Sequence, residues 1–241
     1  MAQYERETLR ARTGSAAAID EGLRSYMLRI YNYMGAGLVI TGAVAWFTSQ
    51  WAMSSEANAE LLYASPLAWV IMLSPLAFVL VLSFGINKLS AGTAQLLFWA
   101  FAAVMGLSLS SIFLVYTGAS IAKVFFISAA TFGAMSVYGY TTKRDLTGIG
   151  NFLIMGLIGL IIAWLVNMFL QSSGLDFAIS AIGVLIFVGL TAYDTQKIKE
   201  SYSAGFGSEV LAKGAIMGAL SLYLDFINLF LMLLRLFGNR N

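Results

Sequence analysis

Two carboxylates stand where carboxylates are costly. Asp225 lies inside the apolar run GALSLYLDFINLFLMLLRLFG (218–238), with Arg235 ten positions further on. A charged group at such a depth in a bilayer costs several kcal/mol, so intramembrane acids are rare and mark function more often than not. On a helix, positions 214, 218, 221, 225, 228 and 232 share one face through their 4-3-4-3-4 spacing; here they are Gly214, Gly218, Ser221, Asp225, Asn228 and Met232. That stripe is small and polar, while the remaining faces are Leu, Phe, Ile and Tyr. Such a helix suits the centre of a bundle, its polar stripe along a cavity or a helix contact. The second acid, Asp194, sits in AYDTQKIK (192–199) at the end of another apolar run. Plain alternatives stand beside both: Asp225 as a neutral, hydrogen-bonded packing group, and Asp194 as a solvated helix-end residue beside Lys197. Gly214 and Gly218 form a GxxxG spacing, for which close helix packing is the default reading.

Taken as a pair, the two acids have a distinct chemistry. Two carboxylates brought together in a low dielectric cannot both ionise cheaply, and they titrate as one unit. With one proton between them they form a short hydrogen-bonded latch. Without it, two negative charges repel each other and attract a cation. Calcium, a hard ion that favours oxygen ligands, fits that description, which makes Asp194 and Asp225 candidate calcium contacts as well as a pH sensor. Two carboxylates alone under-fill a calcium shell, so the ion is read as transported or transiently bound and no resident cofactor is expected.

The elements that position these residues are read from composition. Of 241 residues, 59% are hydrophobic and 11% charged, whereas a soluble domain carries roughly 25% charged residues. Residues 94–142 hold one charge, Lys123, and residues 146–193 one, Asp176. Each run is long enough for two helical passes at roughly 20 residues apiece. The apolar runs are continuous and lack the alternation of a membrane barrel. Hydropathy places spans near 31–50, 67–87, 94–116, 120–141, 151–170, 176–195 and 211–236. The expected fold is all-α and polytopic, with residues 1–29 as an amino-terminal tail and 30–241 as one transmembrane domain.

Basic residues set the orientation. With the amino terminus in the cytoplasm, the inside segments carry the tail arginines, Lys88, Lys143, Arg144, Lys197, Lys199 and Lys213, and the outside loops carry Lys123 with Glu56, Glu60 and Asp176. The mixed-charge start of the chain fits a cytoplasmic tail better than a secretory signal. The last segment stays open: a full crossing puts Arg235 and Arg240 outside, against the rule, while a re-entrant dip keeps them inside. Trp46, Trp51, Trp69, Trp99 and Trp164 fall mostly near span ends and read as interfacial anchors.

Function classes fall away in turn. With no histidine and no cysteine, Ser-His catalysis, thiol chemistry and His-ligated metals are excluded. The net charge of +2 carries no sign of a nucleic-acid partner. An intramembrane aspartyl protease would need GxGD where residues 222–225 read LYLD, and a retinal protein would need a lysine in the middle of its last helix. The chain is not expected to be an enzyme.

Several stretches then resemble one family, in order and at matching spacing over nearly the whole chain: DEGLRSYMLRIYNYMGAGLVITG (20–42), TTKRDLTGIGNF (141–152), GLTAYDTQKIK (189–199) and LSLYLDFINLFLMLLRLFG (220–238). The chain resembles the bacterial branch of the Bax inhibitor-1 family, also called the transmembrane Bax inhibitor motif (TMBIM) family. The resemblance implies six helices packed around a central last helix, in the bacterial inner membrane. It implies a pH-sensitive cation leak, mainly for calcium, in which the aspartates of the YDTQ and LDF motifs form the latch; these are Asp194 and Asp225 here. The alternative it implies is a regulator without transport that acts on a membrane-bound protease or stress response, with the arginine-rich tail (1–29) as the contact.

Two features depart from the family pattern. The two aspartates are 31 positions apart, with SYSAGFGSEV (201–210) as an additional loop, so one helix must extend beyond the membrane or the two acids must differ in depth. Some leak-type members place an arginine on the second helix. This chain has no Arg or Lys within that span, and Lys88 at its end is the nearest basic residue there.

Overall fold

The computed structural model describes residues 2–241, and side chains from residue 20 onward. Among the described residues the chain forms nine helices: α1 (Ala2–Met53), α2 (Glu56–Tyr63), α3 (Pro66–Gly85), α4 (Ala91–Leu109), α5 (Ile112–Val115), α6 (Gly118–Thr141), α7 (Thr147–Leu170), α8 (Ser173–Glu200) and α9 (Ser208–Phe237). Seven stretches are long and apolar enough to cross a membrane, the first within Asp20–Met53 and the third running through α4 and α5. They coincide with the seven expected spans. Helix starts follow local chemistry. Ser55, Ser65, Ser90, Thr117 and Ser172 each accept a hydrogen bond from a backbone N–H in the first turn, satisfying donors that a helix leaves open.

The helix continues without a break through position 29, where the sequence places the end of a tail. Tyr26, Met27 and Ile30 are all buried, so the last turns of that segment already belong to the bundle. Arg6, Arg10 and Arg12 lie outside the residues whose side chains are described.

α9 is the most enclosed element. It packs against α1, α4, α6 and α8, while α3 leans on α4 and α7 on α8. Of the other six membrane-length segments, four thus pack on α9 and two pack on those four. Burial follows the same order: α7 buries only Gly150 and Leu160, whereas α9 buries Leu222, Tyr223, Leu229 and Leu234 almost completely. The outward surface is a belt of large apolar side chains, among them Phe84, Phe126, Phe152 and Phe169, as a bilayer requires of residues that face acyl chains.

The last segment has no re-entrant turn and is long and apolar enough to cross a membrane. α9 is unbroken, about 45 Å long at 1.5 Å per residue. Its carboxyl end joins the α5–α6 connection: the Thr117 N–H donates to the Asn239 carbonyl at 3.1 Å, and the Asn241 N–H to the Val115 carbonyl at 2.9 Å. Its two late arginines therefore lie at the end of the bundle that also holds the start of α8, called here the carboxyl face. The opposite end, with the α3–α4, α6–α7 and α8–α9 connections, is the amino face. Neither arginine stands bare. Arg235 Nη1 lies 3.7 Å from Asp176 Oδ1, and the Arg240 guanidinium sits 6.0 Å from the centre of the Tyr116 ring. This local pairing is what a count of loop charges does not register.

Candidate functional site

The site forms where α8 and α9 run antiparallel. Gly218 on α9 faces Ile198 on α8, and Gly183 on α8 faces Met232 on α9. In that register Asp194 stands about one turn from Asp225. Cα–Cβ bonds tilt toward the start of each helix, and in an antiparallel pair these tilts oppose, so the two side chains lean toward each other. Their carboxyl groups lie within hydrogen-bonding reach.

The surroundings of the two acids differ. Asp225 is buried, at 6% exposure, and among the described residues its Oδ2 has no hydrogen-bond partner. A buried oxygen without a donor is costly. A proton held between two neighbouring carboxyls is one group that could supply such a donor. Asp194 is half-buried, and the cation acting on it is Lys197 on the same helix. The Lys197 ammonium also sits 5.9 Å from the centre of the Tyr193 ring. Lys88, the nearest basic residue to the second span in sequence, is exposed in the α3–α4 connection. Among the described residues no third acid, histidine or cysteine joins the pair in a metal-sized cluster.

The rest of the stripe separates by role. A side chain at Gly214 would strike the Tyr26 hydroxyl at 2.8 Å, and one at Gly218 would press on Ile30 and Ile198 at 3.2 and 3.3 Å. Both glycines therefore serve close helix approach. Ser221 is half-buried. Asn228 donates to the Leu224 carbonyl at 2.8 Å and borders a cavity of about 220 Å³ shared with α7 and α8, which ends at Arg235.

The spacing between the two acids is taken up in both ways: the acids differ by about one turn in register, and α9 outreaches α8 at the amino face. α8 ends two residues past Ile198, whereas α9 starts ten residues before Gly218. α9 thus overhangs by about 12 Å at 1.5 Å per residue. The overhang is fastened to the amino end of α4: Glu209 Oε1 accepts the Ala91 N–H at 2.8 Å, and Lys213 Nζ lies 3.4 Å from the same oxygen. A carboxylate suits that position, because the start of a helix carries partial positive charge.

Three contacts around the pair were not singled out in the sequence. Ser136 of α6 and Thr195 of α8 share a hydrogen bond of 3.1 Å. Gln196 accepts the Leu146 N–H with Oε1 and donates from Nε2 to the Arg144 carbonyl, both at 2.8 Å. It thereby clamps the α6–α7 connection to α8. In that connection, Asp145 Oδ1 accepts the Thr147 N–H at 2.8 Å. Hydrogen bonds from the Thr147 side chain and backbone hold the Asp145 carboxyl below the usual carboxylate range. The third contact joins Tyr223 to Thr41. Thr195 and Gln196 follow Asp194 directly in the motif, so the signal for them was adjacency to the acid.

Comparison with known proteins adds to this geometry. The family model described as "Inhibitor of apoptosis-promoting Bax1" matches residues 23–241. The chain is 51% identical over 228 residues to the Rickettsia prowazekii protein RP147, covering 95% of each chain. It is 51% identical over 237 residues to the Escherichia coli K12 inner membrane protein YbhL, covering 95% of this chain and 97% of YbhL. A Caulobacter vibrioides protein is 46% identical over 231 residues, covering 92% of this chain and 91% of that protein.

Proposed function

The chain belongs to the Bax inhibitor-1 family, and from that premise we propose that it is a pH-sensitive cation leak, chiefly for calcium, gated by the Asp194–Asp225 pair. One observation carries the reading: two carboxyls in hydrogen-bonding reach between the two most buried spans, one with a buried oxygen that no other group among the described residues serves. In the closed state one proton is shared and α8 and α9 are held together. Loss of the proton leaves two like charges in a low dielectric, which drives the helices apart and attracts a cation. Toward the carboxyl face, α8 carries the buried Thr191 and Ser180, α9 carries Asn228, and Asp176 stands beside Arg235 at the end of the bundle. The pair supplies too few oxygens for a resident calcium ion, which favours passage over storage.

The setting is a bacterial inner membrane, with the amino face cytoplasmic. Seven membrane-length helices and the likeness to YbhL support the first part. Lys88, Lys143, Arg144, Lys197, Lys199 and Lys213 on the amino face support the second.

Calcium flux into liposomes holding the purified protein, read across pH 6–8 for wild type and Asp225→Asn, tests the proposal. Flux that rises with pH in wild type and loses that dependence in the variant is expected. Folded protein that passes no calcium at any pH would sink the leak reading and favour the regulator of a membrane protease, with residues 1–29 as the contact.

A further inference from the structure

α1 and α6 both pack on α9 but leave a seam between them, open sideways to the bilayer. Toward the amino face this seam is a cavity of about 490 Å³ walled by Arg24, Met27 and Tyr31 of α1 and by Phe132, Gly133 and Tyr140 of α6. A second cavity of about 470 Å³ follows along the same two helices, between Gly35 and Val39 on one side and Ala122 and Phe126 on the other. These volumes fall in the range of sites that hold small ligands, roughly 300–1,000 Å³. The glycines here have a different meaning from those of α9. A side chain at Gly133 or Gly35 would meet nothing within 4 Å, so neither serves close helix approach.

Charge at the mouth selects the occupant. Arg24 stands at the amino-face end. Among the described residues its carboxylate neighbour is Glu21, 3.8 Å away, and both side chains are more than two-thirds exposed. An exposed pair of that kind contributes little, and a phosphate can displace it. Lys199 of α8 adjoins Tyr140, which lines the mouth: its ammonium donates to the Tyr140 carbonyl at 2.8 Å and lies 5.4 Å from the Tyr140 ring centre. A slot that is apolar along its length, open to acyl chains, and basic only at the level of the headgroups matches one chemistry. We propose that the α1–α6 seam is a binding site for an anionic phospholipid of the amino-face leaflet. The phosphate is held by Arg24 with Lys199 beside it, and one acyl chain lies between Tyr31 and Phe132. The occupied seam lies against Ser136, which also borders this cavity and is bonded to Thr195 next to Asp194, so a lipid in this slot touches the wall of the carboxyl site. The binding proposal does not rest on the leak reading.

The test offers purified protein in detergent an equimolar mixture of phosphatidylglycerol and phosphatidylcholine and measures the lipid retained after gel filtration by mass spectrometry. Each basic side chain near a headgroup is expected to favour the anionic lipid about fivefold. Wild type should prefer phosphatidylglycerol by at least that factor. Arg24→Gln should cut the preference about fivefold. Gly133→Leu, which fills the slot, should cut total retained lipid, and Gly159→Leu, on open surface of α7, should not. Equal retention of both lipids by wild type overturns the proposal, as does full retention by Gly133→Leu. A wild-type dimer that Gly133→Leu splits would make the occupant a second copy and overturn it too. Should Gly133→Leu melt lower than wild type, Arg24→Gln decides alone, since its side chain is exposed; an unchanged preference then overturns the proposal.

Discussion

Tyr223 donates its hydroxyl proton to Thr41. The two oxygens are 2.6 Å apart, and Thr41 Oγ1 is itself 2.8 Å from the Ala102 carbonyl. A threonine hydroxyl has one proton, and a carbonyl can only accept, so the Thr41 proton goes to Ala102 and the tyrosine must donate. One chain of hydrogen bonds thus joins α9 to α1 and α4 in the buried centre of the bundle. The Tyr223 ring is fully buried, in edge contact with Phe98 and Phe101. Asp225, two residues on, points to α8 instead, so one segment of α9 is fixed on one side and titratable on the other. Tyr223→Phe removes only the hydroxyl and keeps the ring packing. Interhelical hydrogen bonds in membranes are worth about 0.6–1.7 kcal/mol, so the variant should lose about that much stability in a detergent melt. A melt identical to wild type would mean that the ring alone holds this junction.

The carboxyl pair should behave as one titrating unit. Asp194→Asn and Asp225→Asn each remove one of the two charges whose repulsion opens the pair. Either variant alone should flatten the rise of calcium flux with pH, and the double variant should add little to either. Residues that act together are non-additive in this sense. The proposed latch fixes the sign: a proton shared at low pH would hold the pair, and its loss as pH rises would leave two charges that repel. Flux that falls with rising pH, or single effects that simply sum, would show that the two acids work separately.

The sequence makes the seven spans and the two acids legible because the cost of exposing polar groups to lipid is large and one-dimensional. It hides what depends on a partner. The extension of α8 to Glu200 follows Asp194 with the polar run TQKIK, which hydropathy reads as loop, yet Thr195 and Gln196 are buried there by α6 and by the α6–α7 connection. Arg235 and Arg240 look misplaced for a full crossing until Asp176 and Tyr116 are seen beside them. The arrangement of α9 with four inner neighbours is equally silent in sequence. Periodicity states that a helix is buried all round and does not state by what.

Gly139 of α6 lies against the backbone of α8 at Ala192. A side chain there would collide with the backbone carbonyl of Ala192, which cannot move aside as a flexible side chain can. Gly139→Ala should therefore push α8 away from α6, stretch the Ser136–Thr195 hydrogen bond and shift the pH response of the neighbouring Asp194. Gly133→Ala, six residues earlier on the same helix, meets open space and should be neutral or slightly stabilising, since alanine favours a helix by about 1 kcal/mol over glycine. Thermal melts of the two variants side by side, with flux measured on each, check the contrast. Equal melting temperatures would show that α6 and α8 tolerate separation.

Gln196 gives the sharpest local prediction because each end of its amide has one backbone partner. Oε1 serves the Leu146 N–H and Nε2 the Arg144 carbonyl, and the glutamine is buried at 5% exposure. Gln196→Ala leaves both backbone groups without their partner, a loss of about 1–3 kcal/mol for each group that stays buried. Gln196→Glu keeps an acceptor for Leu146 but sets a carboxylate against the Arg144 carbonyl. Hydrogen exchange at the Leu146 amide reads the clamp directly. Slow exchange is expected in wild type, rapid exchange in Gln196→Ala, and an intermediate rate in Gln196→Glu. Since the clamp holds the α6–α7 connection to α8 two residues past Asp194, the alanine variant should also broaden the pH response of calcium flux without abolishing it. An amide that exchanges at the same rate in all three proteins would show that α7 alone, packed on α8, keeps the connection in place.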